Sequence, residues 1–543
     1  MNTPATGVDL VLKLVDAEQT HDDDAPDAEF IGDAPDDDAP HAAENDSAAA
    51  NAPHATDTQS AAASPGRKRR KRGEEVGAAI DYVMRFAMHR DGPTLRKWRG
   101  DFYRWTAEHG CYVPITDDQV LASLHREFRI NRTQDARKIR DALIAVDDVL
   151  IDHAQIGEWI GAPTVDHPVL ELAPCRNGLL HLDSRTLYPA TPRYFATTSL
   201  GVSYERAAPS PTRWLSFLRE LWPHKDHAAE IRQAITVGDE ETANRLRIEQ
   251  RNSDESIAAL QEWFGYMLAP DTRQQKIMLL VGPKRSGKGT IGRVLRALLG
   301  RESVAAPTLA SLGTNFGLWP LIGKSAAIIG DARLGGRTDI AQVVERLLSI
   351  SGEDAQTIDR KHREPWTGYL STRITIISNE LPRFADASDA LASRMLILEL
   401  EHSFYGKEDT GLTDALLAEL PGILHWAIDG WDHLHRRGHF VQPAASAALV
   451  DDMADLASPV AAWVRERCKR GPKCKVECTV AFRDYQAWAT EQGHQHKVTL
   501  TTFGRDLKAA AQVVRVQVRE GTNRPWVYRG IELRKLGEVD DAG

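Results

Sequence analysis

Between residues 276 and 401 short, wholly apolar runs alternate with segments of helical period. "KIMLLVG" (276–282), "SAAIIGD" (325–331), "RITIISN" (373–379) and "SRMLILELE" (393–401) read as strands with no polar face. "TIGRVLRALLG" (290–300) and "IAQVVERLLSISG" (340–352) repeat their apolar positions every three to four residues, as helices do. Apolar strands between helices predict an α/β fold whose parallel sheet is covered on both faces. Upstream, "AAIDYVMRFAMHR", "PTRWLSFLRELW" and "ESIAALQEWFGYML" have helical period, and "NGLLHLDSRTLYPATPRYFATTSLGVSY" reads as short strands and turns, with Asn177-Gly178 a hairpin signal. After about residue 426 the pattern is helical. The chain then ends in "TTFGRDLKAAAQ", a helix, and "VVRVQVREGTNRPWVYRGIEL", two strands about a Gly-Thr-Asn turn, which fits a winged helix.

The first stretch has no such pattern. "HDDDAPDAEFIGDAPDDDAPHAAENDSAAANAPHA" has almost nothing to bury, so residues 1–75 are expected to be a disordered acidic tail ending in the basic run "GRKRRKRG". The expected divisions are this tail, a mixed α/β domain over 76–255, the parallel-sheet domain over 256–425, a helical connector over 426–455 and a winged-helix-like domain over 456–543. No internal repeat is visible.

Charge sharpens the division. Residues 1–64 hold fifteen Asp or Glu and one Lys; against a net charge of -10 for the whole chain, the remainder is about +4. The acidity therefore belongs to the tail, and the rest is mildly basic. Five cysteines with no regular framework suggest a reducing compartment, and Cys468, Cys474 and Cys478 lack the fourth ligand of a usual zinc site. No apolar run approaches the ~18 residues of a membrane span, and no basic-then-apolar leader opens the chain.

The first strand runs into "GPKRSGKGT", Gly282, Pro283, Lys284, Arg285, Ser286, Gly287, Lys288, Gly289 and Thr290. A glycine-rich loop between a strand and a helix can wrap backbone N–H groups around phosphates, with the helix N-terminus adding partial positive charge. Lys288 would reach the β- and γ-phosphates, and Thr290 is the nearest hydroxyl for Mg2+. The "GKGT" ending also occurs in adenylate-kinase-type enzymes, which keeps a small-molecule kinase open. Asp331 ends the second apolar strand, where a carboxylate can hold magnesium through water; a helix N-cap is the plainer role. Asn379 ends the third, at the sheet edge where ligands bind and beside the first strand, although an Asn before a turn is often only a turn residue. Arg394, fifteen residues later, is either a surface ion pair or an arginine finger. "TIDRKHREPW" (357–366) gathers Arg360, Lys361, His362 and Arg363 as a hairpin tip suited to phosphate contact, or as a solvated charged loop.

Lys361 and His362 lie eighteen and seventeen residues before Asn379, and Arg394 fifteen after it. This order and spacing resemble the superfamily 3 helicases of viruses and plasmids. "NGLLHLDSRTLYPATP", "VGPKRSGKGTIGRVL", "SNELPRFADASDALASRM", "SFYGKED" and "ELPGILHWAIDGWDHL" are similar to the C-terminal region of the phage/plasmid primase family, the poxvirus-type helicase included, over about 95–535. The resemblance implies an ATP-dependent replicative DNA helicase of a phage, prophage or plasmid, at work in a bacterial cytoplasm. It implies Mg2+ and ATP as cofactors, single-stranded and forked DNA as partners, a homo-oligomeric ring, usually a hexamer, and a separate primase or polymerase. In that reading Lys288, Asp331, Asn379 and Arg394 carry hydrolysis, Arg394 across a subunit interface, and Arg360, Lys361, His362 and Arg363 meet DNA. A replication initiator whose ATPase only governs assembly is the other reading, and a nucleotide kinase a third.

Overall fold

The computed structural model describes residues 65–330, 332, 339–382, 384, 389–492, 498–519 and 524–534. The expected tail, apart from its last residues, lies outside the described residues, as do Asp331 and the tip of the C-terminal hairpin.

Helix α1 spans Pro65–Phe86, so the chain is helical well before the expected start near Glu75. Arginine and lysine are good helix formers, and proline is favoured in a first turn, so the basic run extends the helix. Strands β1 (Leu95–Trp98), β2 (Asp101–Thr106) and β3 (Cys111–Ile115) form an antiparallel sheet. Its aromatic-basic sequence buries Trp98, Tyr103, Trp105 and Tyr112. Helices α2 (Asp117–Arg126) and α3 (Thr133–Ala142) pack with α1 around Tyr82, Leu121 and Leu143. A second small sheet, β4 (Leu172–Cys175), β5 (Gly178–His181) and β6 (Thr186–Tyr188), follows. Its first hairpin is where Asn177-Gly178 was expected, but Cys175 pairs with Gly178, so the loop is Arg176-Asn177. The Asn177 side chain bonds both the N–H and the carbonyl of Tyr204 and so belongs to the packing of the next segment.

Helices α4 (Thr212–Leu221) and α5 (Glu240–Tyr266) lead into the parallel sheet. Helix α5 runs unbroken through the expected boundary at 255/256, with Ser253 and Ser256 buried on either side of it and a largely apolar buried stretch from Ala259 to Tyr266. The sheet is built of β7 (Ile277–Val281), β8 (Val304–Ala305), β9 (Ala326–Ile329), β12 (Arg373–Ser378) and β13 (Met395–Glu399). Helix α6 (Lys288–Leu299) follows β7; between β9 and β12 come helix α7 (Ile340–Ser351) and a hairpin of β10 (Gln356–Arg360) and β11 (Arg363–Gly368). The short helix α8 (Asp389–Arg394) precedes β13.

All neighbours in this sheet are parallel, in the order β8-β9-β12-β7-β13. The four apolar runs are its four long strands; β8, two residues long, is a fifth that the pattern did not reveal. Alternate residues feed opposite faces. Met278, Leu280, Leu396 and Leu398 join a core with Trp214, Phe217, Trp263 and Leu298. Ile277, Leu279, Ile374, Ile376 and Ile397 join a second core with Leu347, Trp366, Trp98 and Tyr103. This two-sided burial is why these strands carry no polar face.

Helices α9 (Leu412–Ala418), α10 (Leu420–Arg437) and α11 (Ala447–Ala457) follow. The expected connector over 426–455 is in part a core element: α10, which begins before it, buries Ala427 and Ile428 completely in the first core. Beyond it, α12 (Pro459–Arg467), β14 (Cys468–Glu477), α13 (Cys478–Glu491), α14 (Leu500–Ala511), β15 (Val514–Gln517) and β16 (Trp526–Leu533) enclose a separate core around Trp463, Trp488, Phe503 and Ile531. Helix α14 followed by the β15–β16 pair matches the expected order. Strand β14, on the other side of β16, was not anticipated. Among the described residues no helix is long and apolar enough to cross a membrane.

Candidate functional site

The glycine-rich loop, expected to hold phosphates, stands between β7 and α6, at the carboxyl edge of the sheet. Two glycines in it have no substitute. Gly282 has φ +153°, and a Cβ there would lie 2.1 Å from the Leu400 carbonyl oxygen. Gly287, which caps α6, has φ +90°, and a Cβ would lie 2.6 Å from Leu221 Cδ2. The loop is thus folded tightly against β13 and α4, which leaves its outer face for a ligand. Lys288 is 5 % exposed, and its ammonium donates to the carbonyls of Gly282 (2.6 Å) and Pro283 (2.7 Å) and to Ser286 Oγ (3.0 Å). Burial lowers its pKa from the usual lysine value. Thr290 is buried, and its hydroxyl oxygen accepts from Arg293 Nη2 at 3.0 Å, which leaves a lone pair for a cation.

Ser286, Gly287, Lys288, Gly289 and Thr290 line an open cleft of about 490 Å³ together with Gly330 and Asn379. Because β12 lies between β7 and β9, the Asn379 tip is directly beside the loop, as its place at the end of an apolar strand suggested. The opposite wall comes from Arg213, Phe217 and Glu220 of α4 and from Phe404, Lys407 and Asp409. Ser403 Oγ donates to the Lys284 carbonyl at 2.8 Å, and the Phe404 N–H donates to the Arg285 carbonyl at 2.9 Å, fastening this segment to the loop. Arg293 also reaches it, through Thr413 Oγ1 at 3.3 Å. Phe404, Lys407 and Asp409 fall in "SFYGKED", one of the segments that carry the resemblance, but no site role was read for them or for Arg213, Phe217 and Glu220, since all lie far along the chain from the loop. Asp331, the other expected magnesium contact, lies outside the described residues.

Arg394 is not in this cleft. Met395 pairs with Ile277 and Glu399 with Val281, so Arg394 lies at the amino edge of the sheet and the phosphate loop at the carboxyl edge. Four strand residues separate the edges, ~13 Å at about 3.3 Å per residue. Its guanidinium donates to the Leu348 carbonyl (2.5 Å) and to Ser351 Oγ (3.0 Å), the place of a cation at a helix C-terminus.

The basic stretch is a two-stranded hairpin as expected, turning at Lys361 and His362, both exposed, with His362 at φ +60°. Two of its four expected DNA contacts are otherwise engaged. Arg360 is 6 % exposed, and its Nη1 donates to Asp101 Oδ2 at 2.6 Å; Arg363 donates to Asp101 Oδ1. A guanidinium buried on a carboxylate is not offered to a phosphate, so Arg360 is withdrawn from the DNA-contact set and Arg363 is shared with Asp101. The three C-terminal cysteines are free thiols, Cys468 and Cys478 buried and Cys474 half-buried.

Comparison with known families adds two matches. Residues 165–223 match the D5 N-terminal-like family, and residues 280–394 match a family of unknown function, DUF5906. The first span contains the α4 wall of the cleft, and the second the phosphate loop from Gly282 onward, Asn379, the hairpin and Arg394. Among solved structures the chain is similar to the A-form apo structure of the NrS-1 C-terminal region, at 13 % identity and a TM-score of 0.44, over 80 % of this chain and 97 % of that one. A second apo structure of that region, residues 305–718, matches at 12 % identity and a TM-score of 0.46, over 80 % and 96 % of the two chains.

Proposed function

We propose that this chain is an ATP-driven DNA helicase of the primase-helicase type, working as a ring of identical subunits. The observation that carries the reading is the division of the site across the sheet. Lys288, Thr290 and Asn379 share one cleft at the carboxyl edge, while Arg394 stands at the amino edge, out of reach of that cleft. An arginine so placed can act on a phosphate only in a neighbouring copy, which fits a ring with nucleotide between subunits. The D5 N-terminal-like match supports the same reading.

In this proposal the loop's backbone N–H groups and Lys288 hold the phosphates, and the Thr290 hydroxyl, with Asp331, holds magnesium. Magnesium held there would supply positive charge to offset that of the phosphates. Asn379 orients the attacking water from the neighbouring strand tip. The hairpin tip, Lys361 and His362, presents the positive charge that meets single-stranded DNA. A nucleotide kinase would need no such hairpin and no arginine on the far edge.

The test measures ATP hydrolysis with and without single-stranded DNA, together with unwinding of a forked duplex. Stimulated hydrolysis with unwinding is the expected result. Hydrolysis that DNA does not alter, without unwinding, would overturn the motor in favour of an initiator with a regulatory ATPase.

A further inference from the structure

The hairpin does not project freely; it is fastened to the N-terminal sheet at its neck. The β1–β2 turn, Arg99-Gly100, is a two-residue loop with both residues at positive φ (+48° and +87°), the tight type that holds paired strands in register. It meets the neck of the hairpin face to face. Asp101, the first residue of β2, takes Arg360 on one carboxylate oxygen and Arg363 on the other. Arg360 also donates to the Glu364 carbonyl at 3.0 Å and to the Arg99 carbonyl at 3.4 Å. In return Arg99 donates to the Thr367 carbonyl, and its guanidinium lies 4.9 Å from the ring centres of both Trp98 and Trp366. Those two indoles pack edge to face at 6.2 Å. The contact therefore combines a buried ion pair, a cation between two aromatic rings and backbone bonds, across 259 residues of sequence.

The proposed motor needs a hairpin that is aimed and that transmits force. We propose that Asp101 is a positioning residue for DNA translocation: it latches the hairpin to the β1–β3 sheet, so that sheet and hairpin move as one body and only the Lys361–His362 tip faces DNA. This rests on the helicase reading. One carboxylate ties down both arginines of the neck and offsets one of their two charges, which leaves Lys361 and His362 as the basic side chains at the tip that are not held by it. Removing the charge and one of the two acceptor oxygens, while leaving the side chain's shape, would release at least one guanidinium and loosen the neck.

The test compares full-length wild type, Asp101→Asn and Asp101→Glu. Hydrogen–deuterium exchange over 356–368, without DNA or nucleotide, is expected to speed up at least tenfold in Asp101→Asn and to return toward wild type in Asp101→Glu. Base pairs unwound per ATP should fall at least tenfold in Asp101→Asn. Its half-saturating concentration of single-stranded DNA should stay level or drop, with a salt slope steeper by about 0.7 per freed guanidinium. A merely structural loss would weaken DNA binding and coupling together. Arg363→Gln, which breaks only the more exposed arm of the latch, gives a second measure of exchange should Asp101→Asn fail to fold. Unchanged exchange over 356–368 overturns the latch, and faster exchange with unchanged coupling overturns the positioning role. If wild type neither unwinds DNA nor responds to it, the helicase reading falls, and the exchange data still judge the contact itself.

Discussion

The guanidinium of Arg394 donates to the carbonyl oxygen of Leu348 at 2.5 Å, on the edge of the parallel sheet opposite the phosphate loop. That contact gives Arg394 a structural duty, and in the proposed ring it would have a catalytic duty toward a neighbouring copy. The two have different sizes. Losing a charged hydrogen bond to a helix-end carbonyl costs about 1.5–3 kcal/mol of stability, whereas losing an arginine finger costs roughly 10³-fold or more in hydrolysis. Arg394→Ala is therefore expected to fold with a modestly lowered Tm and to hydrolyse ATP at a thousandth of the wild-type rate or less. Mixing it with Lys288→Met protein should restore activity, because some interfaces then pair an intact Lys288 with an intact Arg394. No restoration in rings shown to be mixed would reduce Arg394 to the helix-end role.

Lys288→Met separates binding chemistry from folding. The ammonium is buried among three acceptors, and burial already disfavours its charged form. Methionine fills similar volume without that cost, so the three lost hydrogen bonds are partly offset. The expected result is a Tm within a few degrees of wild type and a fall in hydrolysis of roughly 10²-fold or more, the scale of a lost electrostatic contact in an active site. A variant that hydrolyses ATP at the wild-type rate would show that the loop does not hold the reacting phosphates.

Gly287→Ala tests the loop's shape. Alanine at φ +90° costs about 1–2 kcal/mol, and its methyl would meet Leu221 Cδ2 at 2.6 Å. Overpacking of this kind adds roughly 1–3 kcal/mol. At about 2–4 °C per kcal/mol, Tm should drop by roughly 4–20 °C, and thermal stabilisation by added ATP should shrink with it. An unchanged Tm would mean that the loop relaxes away from α4, and that the wall formed by Phe217 and Glu220 is not fixed.

What was legible in the sequence follows from burial. Strands β7, β9, β12 and β13 are covered on both faces, so each shows as an unbroken apolar run, and the loop after β7 shows as glycines. The hairpin showed as charges at a fixed distance from Asn379. Contacts made at long range did not show. Nothing near Asp101 marks it as the partner of Arg360, so Arg360 read as a free cation. Strand β14 was hidden by its lysines and by Gly471-Pro472, which the structure places in an irregularity between Arg470 and Lys475, where proline's missing N–H does no harm. Two-residue β8 is too short to leave a pattern.

Removing residues 1–64 should leave hydrolysis and unwinding within about twofold of wild type. The cores described here draw on residues from 79 onward, and the removed segment carries about -14 of charge with little to bury. Its loss should tighten binding to single-stranded DNA at low salt and have little effect at high salt, because the repulsion it exerts is screened. Loss of folding or of hydrolysis on truncation would show that the segment belongs to the enzyme proper.

The C-terminal region should bind duplex DNA by itself, as the winged-helix reading expects. Its core is drawn from residues 460–531, which argues that a 456–543 fragment folds alone. Helix α14 exposes Arg505, and strand β15 exposes Arg515, whose guanidinium lies 4.6 Å from the ring centre of the exposed Trp526. An arginine stacked on an indole at a sheet surface presents a flat cationic face to a sugar-phosphate backbone. The expected turn around Gly521–Asn523 lies outside the described residues, so the prediction rests on the helix and the strand. The fragment is expected to bind a short duplex weakly, with affinity falling steeply as salt rises, since each phosphate contact contributes a slope of about -0.9 in log–log form. Arg515→Ala should lessen that slope by about one and weaken binding to all sequences alike. A folded fragment with no salt-sensitive binding would make this sheet a docking face for protein instead. The hairpin tip and the basic run "GRKRRKRG" (66–73) would then stand as candidates for contact with DNA.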